Sequence, residues 1–411
     1  MLRRPASTTF ADALVFAFPI LLLCVPRGAG VFMGCVGLLA LLRYRGMGQT
    51  WRTYRDVLLP LSVAVFAFLL VYLASRIYFR THWDVLDNPS RTLLAILTCW
   101  VFLHVQPSTR ALWRGITIAL AGALLIVCYQ RIVQGNLRPS AWVQPIAFAN
   151  MVAVFGLIGF VRAGAQRRTH GEAWGNILCA ALIIAINGTR GAMLAMLITM
   201  LPMLLLRHRK LNVTAFVASA GAVVLIAIGS YFVPNSPVTG RVDQIVDDIH
   251  LYQQGKVDTS IGARLKMWEL AADSIAAHPI MGVGVGQFAR ILQASTFCSR
   301  EETLVCELEH AHNDLLEAAS TTGIPGLIVV LGLFLVPGVL FWRRMRQSRR
   351  AGCEVGESIA GGGVCAIAAM LICGLTQVTM AHQANMVFYA GTVGLLLALA
   401  AAQASRRAAE I

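Results

Sequence analysis

The sequence predicts an all-α, polytopic membrane protein of about twelve transmembrane helices, interrupted by one long, partly helical loop on the outer face. Three observations carry this expectation. Of 411 residues, 57% are hydrophobic and only 13% charged, where soluble domains run at roughly 45–50% and about 25%; the mean hydropathy is +0.68. Apolar runs succeed one another, each near the ~20 residues that cross a bilayer. Lys and Arg gather in short clusters between those runs. A disordered chain, a collagen and a cytosolic enzyme are excluded.

Read between charged punctuation, the apolar windows fall near residues 8–25, 28–42, 57–75, 92–106, 112–131, 144–162, 174–187, 190–206 and 212–233. Beyond the loop they fall near 323–342, 358–381 and 384–404. Met1–Arg4 followed by the apolar run Phe10–Cys24 reads as an uncleaved first span, because no A-x-A-like site follows. The windows flanking Asn187-Gly188-Thr189-Arg190 together cover about 33 residues, or roughly 50 Å of helix. A hydrocarbon core is ~30 Å thick, so a hairpin with its turn at Asn-Gly is expected there.

The formal charge of +14 invites a nucleic-acid reading. Its distribution is the positive-inside pattern rather than a binding stripe, and no nucleic-acid partner is expected. With the N-terminus in the cytoplasm, 21 of the 34 Lys and Arg residues fall on inner connections and 7 on the shorter outer ones, Arg80 among them. Both termini are then inside.

Residues 234–322 break the pattern, holding twelve of the twenty acids and no spanning run. Loops of this length without spans are usually functional or disordered. Trp, Phe, paired glycines and helical periodicity mark this one as a small folded cap. The expected division is 1–233 for nine membrane helices, 234–322 for the loop, and 323–411 for three more helices and a short inner tail. Eight of ten cysteines lie in or next to spans, and Cys298 and Cys306 alone lie in the loop. An oxidising outer compartment would join that pair.

Arg190 starts a span directly after a turn, where helix N-terminal N–H groups and a guanidinium could hold one anion. A side chain snorkelling to lipid phosphates is the plainer reading. Arg264 falls in the first turns of a helix expected over about 261–277, with Leu265, Trp268, Ala272 and Ile275 as its apolar stripe and Ser260 as its N-cap. It then faces away from that stripe, either as an anion ligand or as a solvated side chain. Gly282-Val-Gly284-Val-Gly286 has part of a dinucleotide fingerprint but no βαβ unit around it, so a tight turn allowing close backbone approach is the better reading. His310 and His312, with Glu309 and Asp314 nearby, offer no evident third ligand for a catalytic metal. A single histidine acting as base suits neutral pH better. Asn187-Gly-Thr and Asn212-Val-Thr match the glycosylation sequon and are given no role.

Several segments, taken in order, resemble a known family. They are Arg190 after a short polar turn, the Arg264…Trp268 helix, and His278-Pro279-Ile280-Met281-Gly282-Val-Gly284-Val-Gly286-Gln-Phe288. His312-Asn313-Asp314-Leu315-Leu316-Glu317 and Gly323-Ile-Pro-Gly326 follow. The family is the O-antigen ligase / O-antigen polymerase superfamily of bacterial membrane glycosyltransferases, and the resemblance covers residues 187–326. It implies a GT-C-like, metal-independent transferase without cofactor in the bacterial inner membrane, its active site facing the periplasm. A glycan would pass from undecaprenyl diphosphate to an acceptor hydroxyl, in ligases a sugar of lipid A–core. By position, Arg190 and Arg264 would hold the donor diphosphate and His312 would be the catalytic histidine. The implied partners are the lipid-linked glycan, lipid A–core and membrane lipids.

Two other readings stand beside the ligase. One is a polymerase or protein O-oligosaccharyltransferase using the same donor. The other is a transporter, which calls for internal repeats and ionisable or broken spans at the midplane. No repeat is evident, and Asp12 is the one acid deep in a predicted span.

Overall fold

The computed structural model describes residues 6–162, 167–207, 246–298 and 304–409. Among these residues the regular structure is helical, with no strands. Every apolar run expected in the described part falls on a helix: Ala6–Cys24, Gly28–Leu42, Arg55–Phe79, Leu93–Val105, Thr109–Ile132, Pro145–Phe160, Arg167–Asn187, Arg190–Arg207, Asp314–Arg350, Glu354–Gly374 and Gln383–Ala409. The run expected at 212–233 lies outside the described residues, as do 234–245 of the loop.

Among the described residues, five helices are long and apolar enough to cross a membrane: Arg55–Phe79, Thr109–Ile132, Asp314–Arg350, Glu354–Gly374 and Gln383–Ala404. Gly28–Leu42 and Met47–Thr53, bent by 100° at a short break, make a sixth if they form one span. Leu125, Leu178 and Leu197 are 72%, 65% and 60% exposed on their helices. Such side chains are costly in water and at ease in lipid. This is a multi-pass membrane protein.

The chain divides into two units. The first takes residues 1–70, 86–207 and 329–411; the second takes 71–85 and 208–328. In the first, the helix Pro145–Phe160 is buried continuously from Ala147 to Phe160 and packs against Arg167–Asn187 and Glu354–Gly374. Gln383–Ala409 packs along Leu93–Val105, and a Cβ at Gly394 would stand 2.5 Å from the Ala95 carbonyl oxygen. Only a glycine lets those backbones meet so closely. Asp12 accepts the Ser108 N–H at 2.6 Å, at the N-cap position of Thr109–Ile132. A carboxylate there complements the helix dipole, so this acid has structural work to do.

The second unit has its own core, in which Met267, Ala271, Phe288, Leu292, Val305 and Ala311 are buried together. Residues 314–322, grouped with the loop on sequence, form the first turns of the helix Asp314–Arg350. Residue 323, the expected start of a span, is where a short helix ends and the apolar helix begins, with Gly323 between them at φ 72°, ψ −172°. That conformation is essentially closed to other residues, and the apolar run starts where the backbone breaks.

Candidate active site

Arg190 belongs to the first unit, and Arg264 and His312 belong to the second. A helix break stands where the turn is expected at Asn187-Gly188: the helix Arg167–Asn187 ends, Gly188 takes φ 78°, and a new helix starts at Arg190. Asn187 is fully buried and its Nδ2 donates to the Pro139 carbonyl at 2.9 Å. The Thr189 hydroxyl donates to the Asn187 side-chain carbonyl and accepts from Arg138 Nη2 at 3.3 Å. A second guanidinium therefore stands at the turn that presents the exposed Arg190. Sequence pattern gives no hint of it, because Arg138 is 51 residues from Thr189.

The helix that carries Arg264 is Ser260–Ala277, and its N-cap corrects the sequence reading. Thr259 in extended conformation is the cap, its Oγ1 accepting the Gly262 N–H at 3.0 Å. Ser260 is the first helical residue, and its carbonyl and hydroxyl oxygens accept from Arg264 Nη1 at 2.8 and 2.9 Å. The Ile261 N–H donates to the buried Asp248 at 3.3 Å. Two of the helix-start donors are thus already engaged, and Arg264 itself is bonded back to the first residue of its helix.

The buried stripe also differs from the expected one. Met267, Ala271 and Ser274 are buried, whereas Ala272 is exposed. Arg264, three and seven residues before Met267 and Ala271, lies at the head of the buried face rather than opposite it. Lys266 Nζ bonds both Glu269 carboxylate oxygens at 3.1 Å and stands 5.4 Å from the centre of the Phe297 ring. Beside Phe297, Cys298 and Cys306 are joined by a disulfide with their Cα atoms 5.7 Å apart.

The histidine segment is fixed by a few bonds. Trp268 Nε1–H donates to the Ala311 carbonyl at 3.0 Å. On the other side of Ala311, its own N–H donates to Glu317 Oε2 at 2.7 Å, and His310 Nδ1 lies 3.2 Å from Glu317 Oε1. Burial works to lower the His310 pKa, but the hydrogen bond and charge of Glu317, with Glu309 and Asp314, outweigh it and raise the value. His312 then takes φ 51°, a left-handed conformation that costs a non-glycine residue about 1–2 kcal/mol. Asn313 follows as the cap of the next helix, its Oδ1 accepting from the N–H groups of Leu315 and Leu316 at 3.0 and 3.2 Å. Trp268 is one turn beyond Arg264 on the same helix, so the bond to Ala311 brings the Arg264 helix and His312 into one neighbourhood.

The glycine run is a tight turn laid against the break in the long helix. The N–H groups of Val283 and Gly284 donate to the carbonyls of Ser320 and Thr321 at 3.0 and 2.8 Å. A Cβ at Gly282 (φ 62°) would stand 2.4 Å from the Thr321 carbonyl carbon. Alongside lies a cleft of about 870 Å³ whose lining includes Phe79, Asp273, His278, Arg290 and Ile291. Among its polar groups, Asp273 and Arg290 belong to no motif in the sequence.

These residues lie within a stretch that can be compared with known proteins. Residues 175–331 match the sequence model of the O-antigen ligase family. The matched O-antigen ligase region contains Arg190, Arg264, Cys298, Cys306 and His312. Over 168 residues, 38% of each chain, the protein is 25% identical to the O-antigen ligase of Escherichia coli. Over 401 residues, 95% of this chain and 98% of the relative, it is 21% identical to a Haemophilus influenzae protein described as uncharacterized.

Proposed function

We propose that this protein transfers O-antigen glycan from undecaprenyl diphosphate to a sugar hydroxyl of lipid A–core, on the periplasmic face of the bacterial inner membrane. Twelve spans with both termini in the cytoplasm, and residues 234–322 in the periplasm, complete the proposal. The observation that carries it is the O-antigen ligase match over the stretch that holds Arg190, Arg264 and His312. Likeness to the E. coli ligase supports the same class.

The chemistry fits these side chains. The acceptor hydroxyl attacks the anomeric carbon of the donor while His312 takes its proton. The bond from that carbon to the diphosphate oxygen breaks, and undecaprenyl diphosphate leaves. Direct attack inverts the configuration at carbon. Arg190 and Arg264 neutralise the charge that builds on the leaving group, a role suited to planar, always-charged guanidinium groups. The division of labour needs no metal.

Purified protein supplied with a lipid-diphosphate glycan and lipid A–core tests the proposal directly. Transfer to lipid A–core in the presence of EDTA is the expected result. Extension of the lipid-linked glycan itself would mark a polymerase, and transfer to a protein an oligosaccharyltransferase. A transporter would give no new glycosidic bond, and the engagement of Asp12 by a backbone N–H speaks against that reading.

A further inference from the structure

Glu317 has no role in the reaction as set out above, yet both of its carboxylate oxygens are used. One accepts from the Ala311 N–H at 2.7 Å; the other meets the His310 ring nitrogen at 3.2 Å. Its side chain is only 14% exposed. The opposite edge of the same residue, the Ala311 carbonyl, is taken by Trp268 at 3.0 Å. Ala311 itself is fully buried. On the far side of His312, Asn313 is locked as a helix cap, and the Glu317 N–H donates to the Asn313 carbonyl at 2.9 Å.

We propose that Glu317 is a positioning residue, gripping Ala311 and His310 so that His312 is held in its left-handed turn with its ring in one orientation; the proposal rests on the reading of His312 as the base. The argument is geometric. A histidine between two mobile flanks would relax out of φ 51° into an ordinary conformation. Here the preceding residue is clamped at both its N–H and its C=O, and the following one caps a helix. The left-handed backbone is over-determined, as strained residues at functional sites are. Glu317 does this from the first turns of the helix that His312 leads into, so base and holder form one continuous piece. A glutamine at 317 would offer one acceptor oxygen where two are used. A shorter aspartate would keep the carboxylate but reach less far.

The test uses the full-length protein in lipid nanodiscs, with ring-¹⁵N histidine and the His312 signal assigned from His312→Ala. In Glu317→Gln the His312 ring signal is expected to shift or broaden. Transfer kcat is expected to fall about tenfold, with KM for donor and acceptor within about twofold, since small misplacement of a catalytic group acts on the chemical step. Trp268→Phe, which removes the other grip on Ala311, should act in the same direction, and the double variant should lose less than the product of the two singles. Glu317→Asp should recover part of the rate. An unchanged His312 signal in Glu317→Gln overturns the proposal, and so does a loss carried wholly by KM. If the unmodified protein transfers nothing, or His312→Ala transfers normally, the base reading falls and takes the catalytic claim with it. The ring signal still decides separately whether Glu317 holds His312.

Discussion

The N–H of Ile324 donates to the carbonyl of Pro279 at 2.8 Å, so the residue after the break in the long helix is tied to the segment that leads into the glycine turn. A Cβ at Gly323 would stand 2.3 Å from the Ile280 carbonyl oxygen. Turn and break therefore fit only as a pair.

Gly323→Ala should destabilise the protein by about 2–3 kcal/mol, because alanine meets both a clash and a backbone region reserved for glycine. Gly332→Ala, on the same helix with open space around it, is the control and should be mild. Thermal unfolding in a fixed detergent compares the two; equal midpoints would refute the interlock.

His312→Ala should lower transfer by at least ~10², the low end of what a general base contributes. Donor binding should stay near normal. His310→Ala should cost less, since its ring lies at the edge of the clamp rather than at its centre. Equal losses in the two variants would require a different division of labour between the histidines.

Arg190→Lys and Arg264→Lys each keep the charge but lose the planar fork. Each should weaken transfer by about 1.5–3 kcal/mol, the range of charge-assisted hydrogen bonds. The double variant should cost less than the sum if both hold one leaving group. Arg80→Lys, at an exposed position, should be nearly silent. Normal transfer by both single variants would leave the arginines as lipid anchors.

The raised pKa of His310 has a consequence for stability. A group whose pKa is higher when folded stabilises fully below its unfolded value of ~6.5, and that contribution fades as pH rises through the folded value. The melting point of the wild type should therefore exceed that of His310→Gln most at about pH 5.5 and least above about pH 8. A difference that grows with pH would contradict the His310–Glu317 pairing.

Reporter fusions after Lys210 and after Ser260 should fall on opposite sides of the membrane. The same side for both would undo the twelve-span arrangement.

Much of the helical frame was legible because lipid-compatible runs are defined by composition alone, which needs no partner. The break at Asn187-Gly188 was legible for a similar reason: its length argument is local. The register of Ser260–Ala277 was not. Leu265, Trp268, Ala272 and Ile275 have a valid helical period, but the buried side is chosen by Phe288, Leu292 and Val305, which arrive from later in the chain. The cap moved from Ser260 to Thr259 because a hydroxyl at either position fits the pattern and only backbone geometry separates them. The grip of Glu317 on Ala311 was invisible, since that partner is a backbone N–H that every residue but proline carries.

The helix Pro145–Phe160 carries a consequence for how the protein is made. It has 16 residues, and none from Ala147 to Phe160 faces outward, so its surroundings are other helices instead of lipid. One of those neighbours, Glu354–Gly374, begins about 190 residues later in the chain. At ~5–20 residues per second of synthesis, the ribosome delivers that neighbour roughly 10–40 s after the helix itself. During that interval a segment built to be enclosed still lacks one of its walls.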